Sequence, residues 1–343
     1  MSSLHQNDSK KIALIGAGTI GLSFAALHLS AAVLPPSRVI IYDPRPDLRR
    51  YIEANLPEYL ATLTGIEKKA DIGSSSNEPQ SLSVSFLFDE GRLVTSSSLE
   101  EAVSQADIVQ EQGPEKISFK QWVWSEIEIY APSSALFWSS TSGILTSVQS
   151  TKMKDKSRLM ILHPYNPPHV MPLLEIAVSA VQLPQYTGLD STIEYWEKLG
   201  RKPVVLKEEV TGFVANRLAF ALFREAAYLV ERGVARAEDI DFIVQQSLGP
   251  RWAVKGPFWN YHAGGGEQLG LEGFFDKIGD TIQACWDSLG DLNIKVSGDE
   301  VGSMTGWQER VCKQVIEAYG NLGPKDLRER DKKLQDVLNI TMK

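Results

Sequence analysis

The sequence predicts an α/β fold in which a doubly wound, mostly parallel sheet is followed by an all-α C-terminal domain. Three observations predict it. A compact apolar run, Lys11 to Ile15, stops at a glycine, gives way to a helical pattern and is followed by a second apolar run, Val39 to Tyr42. Strand-like and helical runs then alternate to about Leu206. From Thr211 the strand signals almost vanish and helical periodicity takes over. Strand, helix, strand is the unit of a parallel sheet with right-handed crossovers. Alternating elements followed by helices alone mark two domains of different class.

The elements follow in order. The first helix runs from about Ile20 to Val33 and ends before Pro35-Pro36, which cannot continue it. Arg45 to Thr64 reads as a long helix, and Glu67 to Ser85, rich in Ser, Gly and Asn, as a mobile surface excursion. Leu99 to Ser104 is a short helix, Ile108 to Gln110 a buried strand, and Ser118 to Tyr130 a helix with Trp122, Val123, Ile127 and Tyr130 near one face. Strands are expected at Ala135 to Trp138, Leu159 to Leu162 and Leu173 to Ile176, then a helix at Leu189 to Leu199 and a last strand at Pro203 to Leu206. Five helices follow, at Phe213 to Arg232, Ala237 to Gln246, Gly273 to Leu289, Trp307 to Tyr319 and Leu327 to Leu338. The organisation is a polar leader over 1–10, a sheet domain over 11–207 and a helical substrate-binding and dimerisation domain over 208–343.

Bulk composition narrows the class. The 343 residues are enough for two domains, and 43% hydrophobic with 23% charged residues is globular composition. A net charge of −8 argues against a nucleic-acid or anionic-membrane partner. No apolar run is long enough to span a bilayer, and the first ten residues lack the apolar core of a signal peptide, so a cytoplasmic protein is expected. Cys285 and Cys312 form no metal-spaced or redox motif and read as buried thiols of a reducing compartment.

Gly16-Ala17-Gly18-Thr19-Ile20-Gly21 is Gly-x-Gly-x-x-Gly, placed directly after a strand and opening a helix. This pattern suits a dinucleotide cradle, the other reading being a glycine-rich turn of some other α/β protein, which the strand, helix, strand and acid context disfavours. Gly16 permits the tight turn, Gly18 lets the backbone approach a pyrophosphate, Gly21 lets helix and strand pack closely, and the helix N-terminus with Thr19 and Ile20 offers free N–H groups. The sheet domain is therefore of Rossmann type. Asp43 ends the second strand, where its carboxylate can accept from both ribose hydroxyls. A 2′-phosphate there would meet like charge, which favours NAD over NADP, and Arg45 nearby softens that preference. FAD uses the same cradle and stands beside NAD at this point.

Four further segments carry chemistry. Ser139-Ser140-Thr141-Ser142-Gly143 follows a strand, where an open parallel sheet binds its ligands, though it also suits an ordinary helix cap. His163 in His163-Pro164-Tyr165-Asn166-Pro167-Pro168 suits a general base, or a structural hydrogen-bonder. Glu175 lies inside an apolar strand, where a carboxylate is costly to bury without a partner; a histidine would meet that need, and the other reading is an exposed edge. Asn216 sits in a strongly apolar helix and either donates to a substrate oxygen across a cleft between the domains or bundles helices.

Taken together and in order, these segments, with Gln110-Glu111, Pro114-Glu115 and Gly212-Phe213, resemble the 3-hydroxyacyl-CoA dehydrogenase family over nearly the whole chain. The resemblance implies an NAD-dependent oxidoreductase that interconverts a 3-hydroxy acid and its 3-keto form. It implies that His163 is the acid/base and Glu175 its orienting partner, that Ser142 and Asn216 hold the reacting oxygen, and that Glu115 and Lys120 contact the nicotinamide ribose. It places Ser140 near the nicotinamide, where many relatives carry asparagine. The His163 loop, Leu248-Gly249-Pro250-Arg251-Trp252-Ala253 and the tail with Arg328-Glu329-Arg330-Asp331 are most similar to the short lambda-crystallin and L-gulonate 3-dehydrogenase branch. A small polar hydroxy acid such as L-gulonate is the favoured substrate.

Arg251, beside Trp252 at a turn, suits a substrate carboxylate, or is a solvated arginine at a helix end. Trp252, Phe258, Trp259 and Tyr261 offer an aromatic surface for the quaternary ammonium of carnitine, or are simply core or dimer interface. His262-Ala263-Gly264-Gly265-Gly266 reads as a flexible loop near the substrate mouth. The alternatives are a 3-hydroxyacyl-CoA dehydrogenase, a carnitine 3-dehydrogenase and a non-catalytic crystallin-like protein. Apolar positions such as Phe220 and Phe223 point to a homodimer through the helical domain.

Overall fold

The computed structural model describes residues 9–30, 36–70, 83–179, 188–294 and 306–341. Most of the polar leader, the predicted end of the first helix and the centre of the serine-rich excursion lie outside the described residues. Two compact units divide the chain, residues 1–216 and 217–343.

In the first unit, β1 (Lys11–Ile15), α1 (Thr19–Leu29) and β2 (Arg38–Tyr42) form the expected unit around the glycines. They are followed by α2 (Leu48–Ala70), α3 (Val84–Asp89), β3 (Leu93–Ser96), α4 (Leu99–Val103), β4 (Ile108–Glu111) and α5 (Ile117–Tyr130). Then come β5 (Leu136–Ser139), the single turn α6 (Thr146–Gln149), β6 (Leu159–Pro164), β7 (Leu173–Ala177), α7 (Leu189–Lys198) and β8 (Lys202–Val205). The eight strands make one sheet in the order β3-β2-β1-β4-β5-β6-β7-β8. The polarity of the sheet reverses at one place: β7 runs antiparallel to β6, with His163 opposite Glu175 in the register. The connection between them is too short for a helical crossover, so the chain can only turn back on itself.

The sheet is covered on both faces, as its apolar strands require. Alternate residues of β1 divide between two cores. Ile12 and Leu14 join Phe24, Trp138 and Trp196 on one side, while Ala13 and Ile15 join Val123, Trp124 and Phe137 on the other. The serine-rich excursion is bounded by structure that the sequence did not announce, because α2 runs on to Ala70 and α3 begins at Val84. The short strand β3 was also missed. It is an edge strand of four residues with mixed burial, too brief for an alternation to stand out.

The second unit contains most of α8 (Ala215–Glu231), then α9 (Ala237–Gln246), α10 (Leu248–Val254), α11 (Pro257–Gly264), α12 (Gly270–Ser288), α13 (Gly306–Tyr319) and α14 (Pro324–Thr341). Three expectations are corrected here. Arg251 and Trp252 lie on the short helix α10, not at a turn. The glycines after His262 do not form a loose loop. A Cβ on Gly265 would stand 1.5 Å from the Gly270 carbonyl oxygen, and one on Gly270 would stand 2.2 Å from the His262 ring. His262 Nδ1 accepts the Leu271 N–H at 3.1 Å, which closes the corner between α11 and α12. Here glycine serves close packing, not mobility. Cys285 and Cys312 are both exposed, where burial was expected. Helical periodicity placed them on amphipathic helices without saying which side is covered. Among the described residues no helix is long and apolar enough to cross a membrane.

Candidate active site

The glycine corner between β1 and α1 is built as its sequence requires. Gly16 has φ of 107°, a conformation that suits glycine. A Cβ on Gly21 would stand 2.0 Å from the Gly16 carbonyl oxygen, so only glycine lets α1 approach. Gly18, by contrast, has open space around it and caps α1 with no side-chain hydrogen bond. The first N–H groups of α1, at Thr19 and Ile20, therefore lie at the uncapped, positive end of the helix. Both amide atoms of Gln112, which borders this corner, are buried with no partner. An open glycine, an uncapped helix start and an orphaned amide together fit a pyrophosphate.

At the end of β2, Asp43 Oδ2 accepts the Ala17 N–H at 2.9 Å, and Oδ1 accepts from Arg45 N at 3.1 Å and Nε at 2.9 Å. Burial pushes the Asp43 carboxyl up, but these donors outweigh it and hold the net value below the usual range. The group thus stands as a carboxylate that already anchors the cradle. Its remaining lone pair, on Oδ2, suits a ribose hydroxyl.

The second cluster forms where β5 and β6 end and β7 begins, beside the start of α8. His163 and Glu175 are both buried, and Nδ1 lies 2.8 Å from Glu175 Oε2. The other carboxylate oxygen accepts the N–H groups of Val214 and Ala215, each at 3.0 Å. These donors exist because the chain turns sharply at Gly212 and Phe213, with φ of 79° and 53°. A positive φ at phenylalanine costs about 1–3 kcal/mol, and the fully buried ring, packed 5.1 Å from the imidazole, helps hold it. Burial raises the Glu175 carboxyl, yet His163 and the two N–H groups bring the net value below the usual range. A carboxylate on Nδ1 fixes the proton there and leaves the Nε2 lone pair outward. Nε2 lies 3.5 Å from Asn216 Nδ2, which also donates to the Ser142 carbonyl oxygen at 2.9 Å. Ser142 itself is exposed. His163 sits within β6, not just after it as the sequence suggested.

The remaining predicted residues surround the β5 end. Glu115 Oε1 accepts the N–H groups of Ser142 and Gly143 at 2.9 and 3.1 Å, and the Thr141 hydroxyl. Lys120 is buried beneath, bonded to both oxygens of Glu111 at 2.8 and 2.7 Å, with Glu115 Oε2 at 3.8 Å. Ser140 accepts from Gln110 Nε2 at 3.1 Å. Sequence reasoning missed two features: Glu115 as the clamp of the Ser-Thr-Ser loop and the Gly212-Phe213 turn as the source of donors for Glu175. The first joins residues 27 apart, which no local pattern reports. The second had a signal, a glycine directly before an aromatic at a helix start.

Comparison with known proteins fits this geometry. The model of the 3-hydroxyacyl-CoA dehydrogenase NAD binding domain matches residues 11–209, and that of the C-terminal domain matches residues 212–293. The chain belongs to the 3-hydroxyacyl-CoA dehydrogenase family. It is an NAD-dependent dehydrogenase acting on CH–OH, which closes the FAD alternative. It is 30% identical to the L-carnitine dehydrogenase of Streptomyces coelicolor over 92% of this chain and 97% of that one. It is also 30% identical to a 3-hydroxyacyl-CoA dehydrogenase of Gibberella moniliformis, over 82% of this chain and 80% of the relative. Among solved structures it is similar to 5-formyl-3-hydroxy-2-methylpyridine 4-carboxylic acid 5-dehydrogenase, an NAD-dependent dismutase, with a TM-score of 0.68 and 27% identity over 98% and 99% of the chains. L-carnitine dehydrogenases appear where the lambda-crystallin and L-gulonate branch was expected, and that expectation is corrected.

Proposed function

We propose that this enzyme oxidises a small 3-hydroxy acid with a free carboxylate, L-carnitine foremost, using His163 as the acid/base. The observation that carries the reading is the His163–Glu175 pair, oriented so that Nε2 meets the Asn216 amide at the strand ends beside the NAD cradle. Gly16, Gly18, Thr19, Ile20, Gly21 and Asp43 would hold the dinucleotide, with the unpartnered Gln112 amide beside the glycine corner. Glu115 offers its second oxygen, and Ser140 its hydroxyl, to the nicotinamide half. Lys120 acts from below, its one charge paired with Glu111 and set 3.8 Å from Glu115. NAD, when bound, accepts the hydride of the carbinol carbon. His163 removes the hydroxyl proton, Glu175 stabilises the imidazolium that results, and Asn216 with Ser142 steadies the charge growing on oxygen. In carbonyl reduction the protonated histidine is the acid.

The preference for carnitine over L-gulonate draws support from relatives named L-carnitine dehydrogenases at 30–33% identity. Arg251 is offered as the partner of the substrate carboxylate and Trp252 as an aromatic wall for its cation. The second unit exposes large apolar side chains, among them Phe258 at 80% and Ile340 at 77%, which we read as a homodimer surface. Exposed thiols suit the reducing cytoplasm, where we place the protein. A 3-hydroxyacyl-CoA ester is the second reading, favoured by the Gibberella relative.

One absorbance assay with L-carnitine, L-gulonate and a short 3-hydroxyacyl-CoA decides among these. The expected result is NADH formation that is fastest with L-carnitine. Faster turnover of the CoA ester or of L-gulonate overturns the substrate reading. No turnover of any of the three overturns the reading of the substrate as a 3-hydroxy acid.

A further inference from the structure

Behind Ser140 lies a chain of buried polar groups that the reaction as described does not use. His28, on α1, is fully buried among the rings of Phe24 and Trp196. Its Nδ1 lies 2.6 Å from the Tyr195 hydroxyl and its Nε2 lies 2.9 Å from Gln110 Oε1. Gln110, also fully buried on β4, donates Nε2 to Ser140 Oγ at 3.1 Å. These four side chains come from α1, β4, α7 and the end of β5, so three separate elements converge behind one hydroxyl.

The chain has a direction. Its hydrogen-bonded partners at His28 are neutral, and burial pushes the imidazolium down to about 4, so the ring carries one proton at neutral pH. A phenol is a far better donor than acceptor, and 2.6 Å is the short separation of an O–H donating to a nitrogen lone pair. Tyr195 therefore donates to Nδ1, and the single ring proton sits on Nε2. That proton goes to Gln110 Oε1, which turns the amide nitrogen toward Ser140. With a lone pair already taken from inside, the Ser140 hydroxyl keeps its own hydrogen for the other side.

What lies on that side follows from the sheet. Strand order reverses between β1 and β4, and a dinucleotide straddles that point. With its adenosine ribose at Asp43, next to β2, and its pyrophosphate at Gly16 to Gly21, a bound dinucleotide would direct its nicotinamide half toward the ends of β4, β5 and β6. Ser140 follows β5 directly.

We propose that the buried Tyr195–His28–Gln110 chain fixes the Ser140 hydroxyl as a hydrogen-bond donor to the carboxamide oxygen of the nicotinamide. The inference rests on NAD as cofactor and makes Gln110, His28 and Tyr195 positioning residues. If the amide of Gln110 were turned the other way, Ser140 would donate inward and offer only an acceptor to the nicotinamide.

The test uses the full-length protein and two ligands, NADH and ADP-ribose, which lacks the nicotinamide. Ser140→Ala and Gln110→Glu, whose carboxylate can only accept, should each weaken NADH binding about 3- to 10-fold, the worth of one neutral hydrogen bond. ADP-ribose affinity should not change, and the double variant should be no weaker than Ser140→Ala alone. Should the buried glutamate prevent folding, the wild type still answers: a long-range proton–nitrogen NMR spectrum should place the His28 proton on Nε2 at neutral pH. A proton on Nδ1, unchanged NADH affinity in Ser140→Ala, or equal losses for both ligands would overturn the inference. A wild type that failed to bind NADH would overturn the cofactor assignment and this inference with it.

Discussion

His28 and His163 are both buried in the N-terminal unit and both bonded through Nδ1, yet their surroundings differ in a way that separates structure from chemistry. His28 has both nitrogens taken by neutral partners, a phenol and an amide. Burial penalises a positive ring by more than the hydrogen bond to Gln110 offsets, and its basicity falls accordingly. His163 has a carboxylate on Nδ1, and its Nε2 meets an amide only at 3.5 Å. A carboxylate stabilises the imidazolium that proton transfer creates, and a loosely engaged nitrogen can reach a substrate hydroxyl. Burial alone therefore says little about a histidine. What decides is the charge behind the ring and the room in front of it.

The largest effect should come from His163→Gln. Turnover should fall by about 10²–10⁴, the worth of a positioned acid/base, while NADH affinity stays as in the wild type. The comparison breaks if this variant turns over normally in the absorbance assay. Asn216→Ala should follow, with a loss of about 10²–10³ in kcat from one missing donor to the reacting oxygen. The Ser142 carbonyl would also lose its partner. An effect confined to KM would assign Asn216 to substrate binding and remove it from oxygen stabilisation.

Glu175→Gln should cost about 10- to 10²-fold in kcat, as the loss of a group that orients a histidine commonly does. It also carries a pH signature. The folded carboxyl lies below its ordinary value, so its contribution to stability is full above the unfolded value and is lost as pH falls through the folded one. Chemical denaturation of wild type and variant should therefore show a stability gap at neutral pH that narrows toward strongly acidic pH. A gap that widens on acidification would mean that the carboxyl is stabilised in its protonated form, against the hydrogen bonds seen.

How much of this the sequence discloses depends on whether the signal is local. The cradle is legible because its three glycines and its helix start fall within six residues, and Asp43 closes the second strand. The His163–Glu175 pair is only 12 residues apart in the chain and its two strands are apolar, so a partnership could be argued before the register was known. The antiparallel return of β7 is not in the strand pattern, but it follows from the expected strands at Leu159–Leu162 and Leu173–Ile176, whose connection is too short for a helical crossover. The chain behind Ser140 was illegible: His28 meets residues 82 and 167 positions away. Glycine-rich segments show the limit most clearly. Gly18 has open space beside it, whereas Gly265 and Gly270 are filled by backbone and by His262. The same residue type marks a ligand site in one unit and a packed corner in the other, and only the neighbours tell them apart.

The smallest expected effect concerns Asp43, and it tests whether the carboxylate selects the cofactor or merely builds the cradle. One of its oxygens holds the Ala17 N–H and the other holds Arg45, whose guanidinium lies 3.7 Å from the centre of the Tyr51 ring. Asp43→Asn keeps an acceptor for Ala17 but removes the charge that holds Arg45 and repels a 2′-phosphate. NAD should then bind about 5- to 10-fold more weakly, the difference between a charge-assisted and a neutral hydrogen bond to the ribose. NADP should gain, because the released Arg45 can pair with its phosphate. Side-by-side KM values for the two cofactors measure both changes. If NADP binding does not improve while NAD binding weakens, the role of Asp43 is to shape the turn, and the preference for NAD must come from elsewhere around the ribose.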